Sequence, residues 1–313
     1  MEKKIPIIID TDPGVDDAIA IFLANSLEGL DIKGLTTVGG NVSGDKTFNN
    51  ARGLAHYIGL DVPIARGADY ALIARNEDAS WVHGESGMGK LQMPLPERAA
   101  DTIKAWDFIY EEAIKAKGDL VLVPVAPLTN IAITLLKYPQ IKPYIKEIRL
   151  MGGSATYGNH SPYGEFNIWG DPHAADIVFK SGIPIKMVGL NVTMAAHLLA
   201  EEMTAIKSIP CKIQAPMLAL FEQMDFLGET FGFTTRVAHD ALVVASLCDP
   251  DLITFEPYHV AIETGSDINM GRTIVDRHHC SGQPLQTEVA MAVKRERFVE
   301  MLLDMMHWYA KQE

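Results

Sequence analysis

"IPIIIDTDPGVDDAIAIFLA", residues 5–24, decides how the rest of the chain is read. It begins as an apolar run, Ile5 to Ile9, and passes through Asp10, Asp12, Asp16 and Asp17 into an apolar helical pattern. A short run that is apolar throughout suits a strand covered on both faces. Pro13-Gly14 makes a tight turn. Asp16 and Asp17 then fall in the first turn of a helix, where the macrodipole favours negative charge. Capping accounts for one or two carboxylates but not for four. Close carboxylates repel, and burying them is costly unless something compensates. A bound cation is the simplest compensation, and donors that are all oxygen point to a hard ion, Ca²⁺ or Mg²⁺, rather than zinc. Asp10 is expected to be structural, holding the turn by hydrogen bonds.

Working outward, apolar β-branched runs alternate with helical patterns. Strands are expected at 6–9, 32–38, 120–125, 145–151 and 185–190, and helices at 16–24, 46–58, 105–116, 128–136 and 172–179. Alternation of this kind implies an α/β fold: a doubly wound, mostly parallel sheet flanked by helices. Residues 201–236 look helical and rich in Met and Phe, supplying extra helices over the C-terminal edge of the sheet. Residues 295–310 are amphipathic and read as a closing helix. With no internal repeat, low-complexity tract or linker, residues 1–313 are expected to form a single domain. Sheets of this type bind ligands outside the carboxyl ends of their strands. The loops "DTDPGVDD", "TTVGGNVS", "VPVAPLTN", "MGGSATYGNHSPYGEFNIWGDP" and "GLNVT" all follow expected strand ends, which places a site on one edge of the sheet. The stretch from 66 to 100, with "ASWVHGESGMGK", reads as a long loop or flap.

The net charge of −13 argues against a nucleic-acid or anionic-membrane partner, which would favour a basic face, but leaves a small nucleoside or sugar open. Cys211, Cys248 and Cys280 are scattered and form neither a disulfide framework nor a zinc pattern, which fits a reducing cytosol. The apolar stretch at the N-terminus is too short for the core of a signal peptide, and no apolar segment reaches the length of a membrane span. The expectation is a soluble, cytoplasmic protein.

An Asp-x-Asp after a first strand also occurs in the dehalogenase-like phosphatases, where the first Asp attacks phosphorus and Mg²⁺ assists. "GDPHAAD", 170–176, imitates that class's later acidic motif with one residue too many. The second Asp pair and the downstream loops have no role in that scheme. With "DTDPGVDDA" joined to "VHGESG", "GNHSPYGEFNIWGDPHAA" and "HDA", the chain instead resembles the nucleoside hydrolases of the inosine-uridine type, from the first strand into its last third. "ASWVHGESGM" is most similar to the broad-specificity bacterial ribonucleoside hydrolases.

The resemblance implies hydrolysis of the N-glycosidic bond of ribonucleosides around a tightly held Ca²⁺. It implies that Asp12, Asp17 and Asp240 coordinate calcium with the backbone carbonyl of Val125, and that Asp12 takes the proton from the water bound there. Asp16, Asn41 and Asn167 would bind ribose hydroxyls, and Asn159 and Glu165 the 5′-hydroxyl. Met151 would pack against the sugar, and His83 and His239 would sit near the base. A homotetramer or homodimer is also implied. These roles fit the chemistry: a transition state like an oxocarbenium ion needs an activated water on one face, negative groups around the ribose and a leaving base on the other face. A third reading keeps the pocket but makes it a non-catalytic nucleoside-binding module.

Several of these residues have ordinary alternatives. Asp240 in "RVAHDALVVASL" could be a helix cap. On a helix, neighbours diverge by roughly 100°, so Asp240 can face a metal while His239 faces a leaving group. His239 as general acid competes with a packing histidine, and His83 with a solvated loop residue. Phe166 is a candidate substrate contact that could simply pack, and Asn41 could hold its own turn. Some relatives place tyrosines ahead of the HDA motif. Here Phe226, Phe231 and Phe233 stand there; phenylalanine can stack on a base but cannot donate a proton. Preference between purine and pyrimidine therefore stays open.

Overall fold

The structure, a computed structural model, describes residues 3–73, 79–97, 99–231 and 236–312, with backbone alone over 227–231. The opening stretch forms β1 (Ile5–Thr11) and α1 (Val15–Ser26). Next come β2 (Leu30–Thr37), α2 (Gly44–Ile58), β3 (Ile64–Arg66) and the short α3 (Ser80–His83). The middle of the chain contributes α4 (Ala105–Ala116), β4 (Leu120–Pro124), α5 (Thr129–Lys137), β5 (Ile145–Met151), α6 (Phe166–Gly170), α7 (Pro172–Phe179) and β6 (Ile185–Val188). The last part holds α8 (Leu190–Thr193), α9 (Ala200–Lys207), α10 (Gln214–Phe231), α11 (His239–Cys248), strands β7 (Ile253–Tyr258), β8 (Val260–Ile262), β9 (Thr273–Val275) and β10 (Thr287–Val293), and α12 (Arg295–Ala310).

Eight strands form one sheet in the order β3-β2-β1-β4-β5-β6-β10-β7, parallel except for β7 against β10. The alternating side chains of β1 explain why it is apolar throughout. Ile7 and Ile9 enter one core with α1, α2, α10, α11 and α12, while Ile8 enters the other with α4, α5 and α7. All three isoleucines are fully buried, and truncating Ile8 to Ala would cost about 2–5 kcal/mol. The expected doubly wound sheet is present, and each strand and helix anticipated above overlaps an observed one. The fifth strand stops at Val188 rather than 190, because Leu190 already begins α8.

Strand order reverses at β1, which pairs with β2 on one side and β4 on the other. The carboxyl ends of β1 and β4 therefore diverge into a crevice, the usual ligand position in such sheets. The acidic stretch begins there.

Candidate active site

Asp10 lies below the crevice rather than in the turn. Its Oδ1 accepts from Thr36 Oγ1 at 2.5 Å and from Asn130 Nδ2 at 2.7 Å, and its carbonyl accepts the Val125 N–H at 2.8 Å. This corrects the expectation that Asp10 holds the turn: it ties β1 to β2, α5 and the end of β4. The turn is held by Asp17, three residues into α1, which accepts from the N–H groups of Asp12 and Gly14 at 3.2 and 3.0 Å and from Thr11 Oγ1 at 2.5 Å. Asn41, after β2, does more than brace its own loop. Its N–H donates to Asp12 Oδ2 at 2.6 Å, and its amide nitrogen donates to the Asp12 carbonyl and to Asp17 Oδ2 at 3.1 and 3.0 Å. Gly40 allows this approach, since a Cβ there would stand 2.1 Å from Asp12 Oδ2.

Asp240 arrives from the far end of the chain, in the first turn of α11, which packs on α1. Asp16, Asp17 and Asp240 each offer a carboxylate oxygen within 4.8 Å of the others. Asp12 Oδ1 is buried with no hydrogen-bond partner. No Lys or Arg lines the crevice among the described residues. Burial, and then the negative neighbours, push these carboxyls up: Asp12 and Asp240 go far above the usual range and Asp16 to about 7. Asp17 is raised chiefly by burial, against the hydrogen bonds it accepts. Crowded, desolvated carboxylates with an unpartnered oxygen and no cationic side chain fit a divalent cation held by oxygen. Asp12, Asp17, Asp240 and the Val125 carbonyl could hold it, and Asp16 is close enough to share it.

Above this floor opens a cleft of about 250 Å³. One wall carries Val125, Met151, Asn159, Glu165, Phe166 and Asn167. Glu165 caps α6, taking the N–H groups of Asn167 and Ile168, and also that of Gly153 at 2.8 Å. Burial still raises its carboxyl to about 7. Asn167 Nδ2 donates to the carbonyls of Val125 and Met151, both at 3.2 Å, so it braces the ends of β4 and β5. Asn159 Oδ1 takes the Phe166 N–H at 2.9 Å. The other wall holds His83 from α3 and His239 from α11. Burial lowers both imidazoles to about 4, with His239 adding to the effect on His83, so both are neutral at pH 7. His239 Nδ1 lies 2.7 Å from Thr193 Oγ1 at the end of α8.

All of the anticipated site residues thus meet around this cleft or its floor. Sequence reading missed Trp81, Val82, His160, Met194, Met224 and Val237, which also line it. Trp81 and Val82 sit beside His83 in "SWVHG" and could have been suspected. Met224 lies in the Met- and Phe-rich stretch expected over this edge of the sheet, whereas Met194 carried no local signal. Phe226 does not line the cleft and is 55% exposed; Met224, on a different face of α10, does. The Phe231 side chain and Phe233 lie outside the described residues. The "GDPHAAD" stretch is not part of the site. Asp171 caps α7 and holds Thr129 and the Leu72 N–H, while Asp176 pairs with Lys180.

Comparison with known proteins adds four matches. Residues 7–300 match the family model described as inosine-uridine preferring nucleoside hydrolase. The chain is 39% identical over 308 residues to the pyrimidine-specific ribonucleoside hydrolase RihA of Shewanella sp. strain MR-4, covering 97% of this chain and 96% of that one. It is also 39% identical over 303 residues to the non-specific ribonucleoside hydrolase RihC of Shigella flexneri, covering 97% and 98%. Among solved structures, a purine-preferring ribonucleoside hydrolase from Gardnerella vaginalis superposes with a TM-score of 0.91 at 32% identity, over 98% of this chain and all of that one.

Proposed function

The chain belongs to the inosine-uridine preferring nucleoside hydrolase family and hydrolyses ribonucleosides, and on that premise we propose that it uses Ca²⁺ held by Asp12, Asp17, Asp240 and the Val125 carbonyl. The observation that carries this is the buried acidic floor, with Asp12 Oδ1 lacking a hydrogen-bond partner and no Lys or Arg lining the cleft among the described residues. A divalent cation so held lowers the pKa of water in its shell and positions it. Asp12 is the group we assign to accept a proton. Asn41 occupies its Oδ2, leaving Oδ1 uncommitted.

Asp16, Asn41, Asn167, Asn159 and Glu165 are assigned to the ribose, with Met151 and Phe166 packing against it. Their oxygens stabilise positive charge developing at the anomeric carbon. A site built to hydrogen-bond hydroxyls rejects analogues that lack them, because its own polar groups are then left unpaired, so ribose is favoured over deoxyribose. His239 is assigned to the leaving base. As an acid it must be protonated before base departure, against the burial that lowers it to about 4. The acidic neighbours and the base itself would have to supply that shift.

Neither the cleft nor the relatives' names single out one base: the three proteins above are named pyrimidine-specific, non-specific and purine-preferring. The broad-specificity resemblance of "ASWVHGESGM" favours purine and pyrimidine nucleosides alike. We assign the whole of 1–313 to one nucleoside hydrolase domain and place it in the cytoplasm. Supporting the latter are three free cysteines and the absence, among the described residues, of any helix able to cross a membrane. A homodimer or homotetramer follows from the resemblance, and sedimentation velocity tests it.

The deciding assay incubates the protein with uridine, cytidine, inosine and AMP and measures reducing sugar, free base and phosphate. Ribose and free base are expected. Phosphate without ribose would reject the reading, as would binding without product.

A further inference from the structure

Val15, the first residue of α1, directs its backbone N–H at Nδ1 of His83, 3.2 Å away. An amide N–H only donates, so this Nδ1 is an acceptor and carries no hydrogen. The ring hydrogen of a neutral imidazole then resides on Nε2, for which no hydrogen bond is found among the described residues. The Nδ1–Cε1 edge also lies hard against the turn: a Cβ on Gly14 would stand 2.6 Å from Nδ1 and 2.9 Å from Cε1. The tight turn and the helix start thus close over that edge of the ring. Protonating Nδ1 would set an N–H against an N–H at the positive end of the α1 dipole. The charged form is opposed further by burial and by His239, the titratable group facing it, which together lower His83 to about 4.

We infer that His83 is a fixed neutral hydrogen-bond donor, offering Nε2–H to an acceptor that purines and pyrimidines share beside the glycosidic nitrogen, purine N3 or pyrimidine O2, and that it does not supply the leaving-group proton. This rests on the proposed function and narrows it: of the two imidazoles on the base-side wall, His83 and His239, it leaves His239 as the candidate acid. It also gives the site a reason to accept either kind of base, since a donor aimed at an atom common to both does not discriminate between them.

Two readouts test this on the full chain loaded with Ca²⁺. The first is long-range ¹H–¹⁵N NMR of histidine-labelled protein, with His83→Gln identifying the resonance. Between pH 6 and 8 the Nε2–H tautomer is expected; an imidazolium, or a hydrogen on Nδ1, overturns the inference. The second is kcat/KM on inosine and on uridine for His83→Ala, His83→Asn and His83→Gln. Ala and Asn should each lose roughly tenfold, similarly on both substrates, as befits one lost hydrogen bond. Gln, whose Nε2 can stand where the histidine Nε2 stands, should lose less, and the alkaline limb of the pH profile should persist. A Gln variant as impaired as Ala with that limb gone, or a loss confined to one base, would reject it. If the unaltered protein releases no base from either nucleoside, the proposed function fails, and the NMR result still decides the tautomer.

Discussion

The floor of the cleft and its base-side wall are built from different material. The floor is assembled from the ends of β1 and β4, the first turns of α1 and α11 and the loop after β2, all rooted in the sheet. Asp10, Asp12, Asp17 and Asp240 are buried, and the first three are gripped by hydrogen bonds from as far away as Asn130. The base-side wall comes from the four-residue α3, from α10 and from the segment that enters α11, with Trp81, Val82, Met224 and Val237 contributing mostly apolar surface. Trp81 is itself 52% exposed. Rigid strand ends can place charges to the accuracy that chemistry requires, whereas loops and an apolar surface tolerate differently shaped bases. Chemistry common to the family would then reside in the floor, and base preference in the wall.

Four substitutions or conditions bear on that contrast. The largest effect is expected on the floor: Asp12→Ala should lower kcat on inosine and uridine alike by at least about 10³-fold, within the range for losing a general base. Ordinary turnover by this variant, or by Ca²⁺-free protein, would break the assignment.

Removing the ion should also change stability. Six carboxyls, Asp10, Asp12, Asp16, Asp17, Glu165 and Asp240, are raised in the folded protein without metal, Asp10, Asp16 and Glu165 to about 7. Between their unfolded values and these the folded state binds more protons, so stability falls as pH rises toward 7. His83 and His239, lowered to about 4, oppose this only between pH 4 and their unfolded pKa near 6.5. Ca²⁺-free protein should therefore show a Tm that drops from pH 5 to 7.5, the steeper part above 6.5, and Ca²⁺ should restore it at the upper end. Calorimetry across that range checks the sign; a Tm indifferent to Ca²⁺ at pH 7.5 contradicts an ion in this floor.

At the boundary between floor and wall, His239→Ala should cost roughly 10²-fold on inosine and much less on a riboside with an activated aryl leaving group. Equal losses would remove its acid role. The smallest effect belongs to the wall: Trp81→Ala should raise KM several-fold, by unequal factors for inosine and uridine, with kcat nearly unchanged, as expected when stacking area is lost. A uniform collapse of kcat would mean that the wall, too, positions the reacting atoms.

Much of the fold was legible in one sequence because the parallel strands are buried on both faces and so read as continuous apolar runs. The strands after α11 were not anticipated. β7 is an edge strand with Glu256 exposed and Pro257 inside it, a composition that resembles a loop and that only the pairing with β10 makes a strand. The candidate site was legible through its aspartates, because four like charges at a buried strand end have few explanations. The role of Thr193, last residue of the "GLNVT" loop already expected at that edge, was not, since its hydroxyl acquires meaning only by meeting His239 across 46 residues.

What the sequence by itself determined was the alternating architecture, the acidic turn and the family, because these depend on local order and spacing. The tertiary structure alone decided which aspartate supports the strand ends and which faces the cleft, which nitrogen of His83 is blocked, and that Met224 rather than Phe226 reaches the base side. Those outcomes depend on distances between segments far apart in the chain, which are set by packing and leave no trace in local spacing.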